Sequence, residues 1–327
     1  MKKNIFIIGS SPISLMTAIL QAKKGYDVFI IEKNNILGGG WSYQDFSDFK
    51  NIELGPHYIK DRNNSYEKLQ FFGVNLVHLI NDVIWLNNFK EFSYIKFLYL
   101  KIKNIVKFVL GKKLKSKYLK GGSYQLINSL TDLLKFYKIK VYYNCKVLSL
   151  NQINQELQIV AENNTFKADK CFLFSGSKIN KININNKIIE DKYEEKKYTN
   201  LVLLFKSKVI PNKLSIKISN PYLISFLNDL TPSTEKKRQL IGLRINQNFK
   251  KEFSIKEIIT ELKSLSNKIK LDNLISYKFN KLIVPYRKIK EINKLNDLLP
   301  SNIRFVYSAD LTNGLAYLNI EHESQKS

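Results

Sequence analysis

Short runs of consecutive apolar residues alternate along the chain with stretches of helical period. Ile5-Phe-Ile-Ile8 is an unbroken apolar run that stops at Gly9, the pattern of a strand buried on both faces of a parallel sheet. From 11 to 24 the apolar residues Ile13, Leu15, Met16, Ala18, Ile19 and Ala22 recur at helical spacing, and Gly25 supplies the stop. Asp27-Val-Phe-Ile-Ile31 is a second buried run, and it ends in Glu32. Strand, helix and strand in this order predict a βαβ unit of ordinary size.

Beyond it the pattern predicts a helix over 66–72, one or two helices over 92–117, and a helix over 124–137 opened by Gly121-Gly122-Ser123. Strands are expected at 140–143, 146–150, 157–161 and 170–174, then at 201–205, 222–226 and 239–245. Residues 255–265 carry Ile255, Ile258, Ile259 and Leu262 at helical spacing, and 303–307 is a last strand. The polar, low-complexity stretch 178–197 is expected to be a connection with little core. No internal repeat is visible. Alternating strands and helices at the start predict an α/β protein.

Composition narrows the functional classes. The 327 residues carry a formal charge of +25, which would ordinarily suggest nucleic acid or an anionic membrane as partner. The excess is almost all Lys, spread evenly with Asn and Ile. Only Arg62, Arg238, Arg244, Arg287 and Arg304 are arginines, the type favoured for bidentate phosphate and base recognition. Nucleic-acid binding is therefore not expected. Cys145 and Cys171 fall in expected strands without CxxC spacing, and His57, His78 and His322 are scattered, so no metal site is expected. No segment reaches the roughly 18 apolar residues of a membrane span. A soluble or peripheral, cytoplasmic protein is the expectation. The lysine-rich apolar stretch 92–117 reads first as helices with solvated lysines, and second as a basic amphipathic surface for peripheral membrane contact.

The first turn, Gly9-Ser10-Ser11-Pro12-Ile13-Ser14, keeps one glycine of the G-x-G-x-x-G dinucleotide fingerprint, with Ser11 and Ser14 in place of the others. The Ser11 Cβ would crowd a pyrophosphate, although its hydroxyl could donate to it. Glu32 stands about 20 residues on, where an acid meets the adenosine ribose.

Further segments extend the pattern. Glu32-Lys33-Asn-Asn-Ile-Leu-Gly38-Gly39-Gly40-Trp41, Gly55-Pro56-His57, Gly121-Gly122-Ser123, Lys146-Val147-Leu148, Ala168-Asp169 with Gly176, and Ser308-Ala309-Asp310 with Gly314-Leu315 recur in one order. Together they resemble the FAD-dependent amine oxidase, phytoene desaturase and UDP-galactopyranose mutase group. The resemblance departs at Trp41, where Arg is common, and at Ala309, where Gly is usual. It covers both ends and the middle of the chain, but not 63–117 or 181–280.

The resemblance implies a Rossmann-like FAD-binding domain with a parallel sheet, built from 1–60, 120–180 and 275–327. A smaller α+β cap or substrate domain would be interleaved from 61–119 and 181–274. It implies that Gly9, Ser11, Ser14, Glu32, Lys33, Gly39, Gly40, Trp41, Val147, Gly176, Asp310, Gly314 and Leu315 bind FAD. His57 and Arg287 would lie at the reacting end. Three functions stay open: hydride transfer to FAD from a small-molecule substrate, a redox-neutral sugar-nucleotide mutase, and a degenerate, non-catalytic nucleotide-binding fold. A mutase would need arginines to grip a diphosphate, and Arg62, Arg244 and Arg287 are the candidates. The oligomeric state is left open.

Overall fold

The computed structural model describes residues 2–53, 58–60, 64–78, 83–110, 116–119, 122–154, 156–179, 181–219, 223–232, 234–246, 253–308, 311–316 and 318. The first three elements form as the pattern predicts: strand Asn4–Ile8, helix Pro12–Lys23 and strand Asp27–Ile31. They belong to a five-stranded, all-parallel sheet. Its order is Ile303–Val306, Lys170–Phe174, Asn4–Ile8, Asp27–Ile31, Lys140–Tyr142. Alternation along these strands separates two cores. Ile5, Ile7, Val28 and Ile30 face the helices Pro12–Lys23 and Gly122–Phe136. Phe6, Ile8, Cys171 and Leu173 face the helix Ile289–Leu298 and a second, five-stranded sheet.

That second sheet runs Thr165–Ala168, Glu156–Ala161, Val147–Ile153, Lys181–Ile184, Lys187–Ile189. It overturns one expectation, because 178–197 is not a bare connection. Ile182 and Ile189 are buried in the core, and Asn185-Asn186 make the hairpin turn with both residues at positive φ. That backbone is what a two-residue type I′ turn demands, and Asn is among the residues that tolerate it.

A third sheet has six strands in the order Leu274–Tyr286, Glu194–Phe205, Gln239–Ile245, Ile224–Asp229, Ser215–Ile218, Ile84–Leu86. One face buries Leu201, Leu203 and Phe205 against the helices Tyr94–Val109 and Ile255–Leu262. On the other face Val202, Leu204 and Leu240 pack against Phe46, Phe49 and Ile52. These last three come from the hairpin Tyr43–Phe46/Phe49–Glu53, which follows the glycine-rich segment of the nucleotide-binding half. Strand Leu274–Tyr286 and helix Ile289–Leu298 were not expected from the sequence. Among its described residues the stretch 92–117 yields one helix and the start of strand Ser116–Leu119. Cys145 lies between strands Lys140–Tyr142 and Val147–Ile153 and belongs to neither.

Helix Tyr94–Val109 carries an apolar stripe on its outer side. Ile95, Tyr99, Ile102, Val106 and Val109 are all exposed, with Ile95 at 79% and Val109 at 76%. At 100° per residue Lys96, Lys103 and Lys107 flank the stripe on one side and Lys101 on the other. Among the described residues, no helix is long and apolar enough to cross a membrane.

Candidate dinucleotide site

The carboxyl ends of the parallel strands converge on one edge, the place where open α/β sheets bind their ligands. Strand Asn4–Ile8 turns there through Gly9, whose φ of +91° favours glycine, and the Gly9 N–H donates to the Ile31 carbonyl at 2.8 Å. Helix Pro12–Lys23 then starts with proline in its first turn and Ser11 as N-cap. The Ser11 hydroxyl accepts from the Ser14 N–H at 3.3 Å and lies 2.7 Å from the Ser14 hydroxyl. The two serines that replace fingerprint glycines therefore cap the helix together. The Ser11 hydroxyl is turned into the helix rather than into the turn's concavity.

Glu32 is 4% exposed at the end of strand Asp27–Ile31. Its carboxylate accepts from the Ser10 hydroxyl at 2.6 Å and from the Asn34 N–H at 2.9 Å. A carboxylate offers about four lone-pair sites, so acceptor capacity remains for ribose hydroxyls. Ser10 also binds the glycine segment, because the Gly38 N–H meets both its carbonyl, at 3.0 Å, and its hydroxyl, at 3.2 Å. Ser10 was not read as a site residue; it sits at a variable position of the fingerprint, and only its distance from Glu32 reveals it.

The glycine segment lies against the first turn. A Cβ on Gly39 would come 3.9 Å from the backbone of Ser11, and a Cβ on Gly40 would meet nothing within 4 Å. Gly38 at φ +108° needs glycine for conformation alone, and Gly39 at φ +55° lies in the left-handed region that glycine favours. Trp41 is half-buried against the core under helix Pro12–Lys23. Lys33 is exposed beside Glu32. Val147 is buried, two residues beyond Cys145, whose N–H donates to the Glu32 carbonyl at 2.9 Å. Gly176 has open space where a Cβ would be, and its neighbour Ser177 donates its hydroxyl to the Ile8 carbonyl at 3.0 Å. Gly9, Ser11, Ser14, Glu32, Gly39, Gly40 and Gly176 thus gather at one edge. Bare glycine backbone, helix N-terminal amides and a buried acid are the parts a dinucleotide requires.

Glu53 was also missed. It is buried, and its carboxylate accepts the Ser123 N–H at the start of helix Gly122–Phe136, where the helix dipole favours a negative charge. A Cβ on Gly122, which has φ +69°, would collide with that carboxylate. Its place between Ile52 and Leu54 was the available signal.

Arg287 is 0% exposed. It pairs with Asp191 through Nε, at 2.7 Å, and through Nη2. It also donates to the carbonyls of Ser175, at 2.6 Å, and Ser177, at 2.9 Å. The guanidinium lies over the Tyr193 and Phe305 rings. It clamps the end of strand Leu274–Tyr286 onto the parallel sheet and presents no face to solvent, so the expectation of a pocket-lining Arg287 is corrected to a joining role. Gly314 is a close-packing glycine: a Cβ there would lie 2.6 Å from Ile13 Cγ1. Leu315 is fully buried, and its carbonyl accepts from Lys68 Nζ at 2.7 Å. His57 and Asp310 lie outside the described residues. No cluster of His, Cys, Asp and Glu suited to a metal occurs among the described residues.

The fold and this edge define a protein with a Rossmann-like dinucleotide-binding half. In agreement, residues 7–72 match the NAD(P)-binding Rossmann-like domain family. The whole chain shares its fold with solved oxidoreductases. A putative protoporphyrinogen oxidase from Exiguobacterium sp. 255-15 superposes with a TM-score of 0.68 at 10% identity, covering 97% of each chain. A putrescine oxidase bound to putrescine gives 0.63 at 11%, over 96% of this chain and 97% of that one. An oxidoreductase from Methanosarcina mazei gives 0.57 at 12%, over 93% and 94%. Comparison with curated protein sequences gives no match. The fold of the chain is thus the one these solved oxidoreductases share.

Proposed function

We propose that this protein is an FAD-dependent oxidoreductase that takes a hydride from a small organic substrate seated between the six-stranded sheet and the nucleotide-binding half. The observation that carries this reading is the convergence of Gly9, the Ser11-capped helix, Glu32 and Gly38–Trp41 on one edge. Bound FAD would supply the hydride acceptor. The chain's own residues would bind and orient it. Helix amides after Ser11 would hold the pyrophosphate, Glu32 would take the ribose, and Gly39 and Gly40 would admit the polyanion beside Lys33. Trp41 forms the wall of that pocket. The Val147 backbone would meet the adenine, and Gly176 would let the chain pass close to the cofactor. By the resemblance, Asp310, Gly314 and Leu315 would complete the flavin end, and His57 would orient substrate or ring. The engagement of Arg287 removes one of the arginines a sugar-nucleotide mutase would need.

The test is the visible absorption spectrum of the purified protein with identification of released cofactor. Flavin bands and released FAD are expected. A colourless protein that takes up no added FAD overturns the reading in favour of a degenerate nucleotide fold.

We further infer that helix Tyr94–Val109 rests on an anionic bilayer. It holds four lysines and no acid, with the lysines flanking the exposed apolar stripe, so charge and apolar face complement an anionic interface together. The protein should sediment with phosphatidylcholine vesicles containing phosphatidylglycerol and lose this with Ile95→Glu and Ile102→Glu combined. Failure of the wild type to sediment, or self-association through this face instead, overturns it.

A further inference from the structure

The face of the six-stranded sheet that meets the nucleotide-binding half does not end at its apolar contact. Two residues along the strands from Val202, about 7 Å, a polar row crosses three strands and ends at Phe226 on a fourth. Asn280 pairs with Asn200, Asn200 with Arg244, and Arg244 with Phe226. Directly paired residues share a face, so these four side chains stand beside one another on the Val202 side.

The row is rich in donors and poor in acceptors. Arg244 is half-buried, and its Nε reaches Asn200 Oδ1 at 3.5 Å, the edge of hydrogen-bond distance. Its guanidinium lies over the Tyr198 ring, 5.3 Å from the centroid. No carboxylate among the described residues forms an ion pair with it. Arg238 meets Asp48 and Glu235, and Arg287 meets Asp191. Asn280 Nδ2 is buried with no hydrogen-bond partner among the described residues. Leaving a half-buried cation without a carboxylate and a buried amide donor without an acceptor is costly unless a ligand supplies them.

We propose that Arg244, Asn200 and Asn280 form a subsite for a carboxylate on the substrate. A single guanidinium matches one planar monoanion, and the fork geometry of Arg suits a carboxylate held by two oxygens. Phe226 and Tyr198 border the row and give it an apolar rim for the body of the ligand. The subsite thereby selects acids over the neutral or cationic amines that an amine oxidase fold otherwise accommodates. The placement of this row beside the reacting centre rests on the flavoenzyme reading above.

Benzoate, benzamide and phenyl phosphate are suitable probes, with binding followed by saturation-transfer NMR and calorimetry on the purified protein. Cofactor content is measured separately by absorbance. Benzoate should bind at least about tenfold more tightly than benzamide, the weight of one charge-assisted pair. Arg244→Gln should abolish that preference, Arg244→Lys should restore part of it, and Arg304→Gln, on an exposed edge, should leave it intact. Asn280→Ala, which removes the orphan donor without touching charge, should weaken benzoate alone, and matched thermal midpoints show that the variants fold. Equal binding of benzoate and benzamide, or an unchanged preference in Arg244→Gln, overturns the subsite. Tighter phenyl phosphate overturns the carboxylate assignment. A wild type that lacks flavin but retains the benzoate preference refutes the flavoenzyme reading and leaves the subsite standing.

Discussion

The Ser10 hydroxyl donates to Glu32 at 2.6 Å, tying the turn after the first strand to the acid that ends the second. The same serine receives the Gly38 N–H, so one small side chain fixes the relative positions of turn, acid and glycine segment.

From this geometry, Ser10→Ala is predicted to weaken dinucleotide binding by about tenfold, through loss of a buried hydrogen bond to a charged group. Glu32→Gln should weaken it further by removing acceptors for the ribose. Titration of apoprotein with FAD, followed by flavin fluorescence, measures both; unchanged affinity in Glu32→Gln would place the ribose elsewhere.

Arg287→Met leaves Asp191 buried and unpaired, and the loss is predicted at about 3 kcal/mol or more. Combining it with Asp191→Asn should recover part of that loss. Denaturant unfolding of the four proteins in the double-mutant cycle reads the coupling. A residue that merely lined a pocket would show little.

Gly314→Ala places a methyl against Ile13, and destabilisation of about 1–3 kcal/mol is expected. Ile13→Val, which removes the nearest terminal methyl, should relieve it partly. Thermal melts of the single and double variants decide.

Burial raises the Glu261 carboxyl above its ordinary value, although it accepts the Ile224 N–H. The folded state therefore binds the proton more tightly than the unfolded chain, and ionisation at neutral pH subtracts from stability. Glu261→Gln should raise the melting midpoint at about pH 7. At about pH 3, below the ordinary carboxylate value, the difference should vanish. A gain that is equal at both pH values would show a different cause.

The parts of this protein legible in the sequence are those where pattern and burial agree. The first βαβ unit and strand Gln239–Ile245 follow from apolar runs alone. Strand Leu274–Tyr286 did not, because it lies at a sheet edge: Tyr277, Lys278 and Lys281 are exposed, and the alternation is blurred. The hairpin at Asn185-Asn186 was hidden differently. Asn also turns the backbone at Asn51, Asn64, Asn144 and Asn154, yet it is so frequent throughout that its turn signal carries little contrast. At the site, the fingerprint named Gly9 and Glu32, while Ser10, Glu53 and the burial of Arg287 depend on long-range contacts that no local spacing encodes.

The order of the parallel sheet also bears on how the chain reaches this state. Its outer strand, Ile303–Val306, pairs with Lys170–Phe174, and the hydroxyls of Ser175 and Ser308 meet across 133 positions of sequence. During synthesis the Lys170–Phe174 edge must wait, unpaired and apolar, while five of the six strands of the third sheet emerge from the ribosome. A late-arriving strand of this kind makes folding slow and leaves a nascent chain that chaperones would recognise.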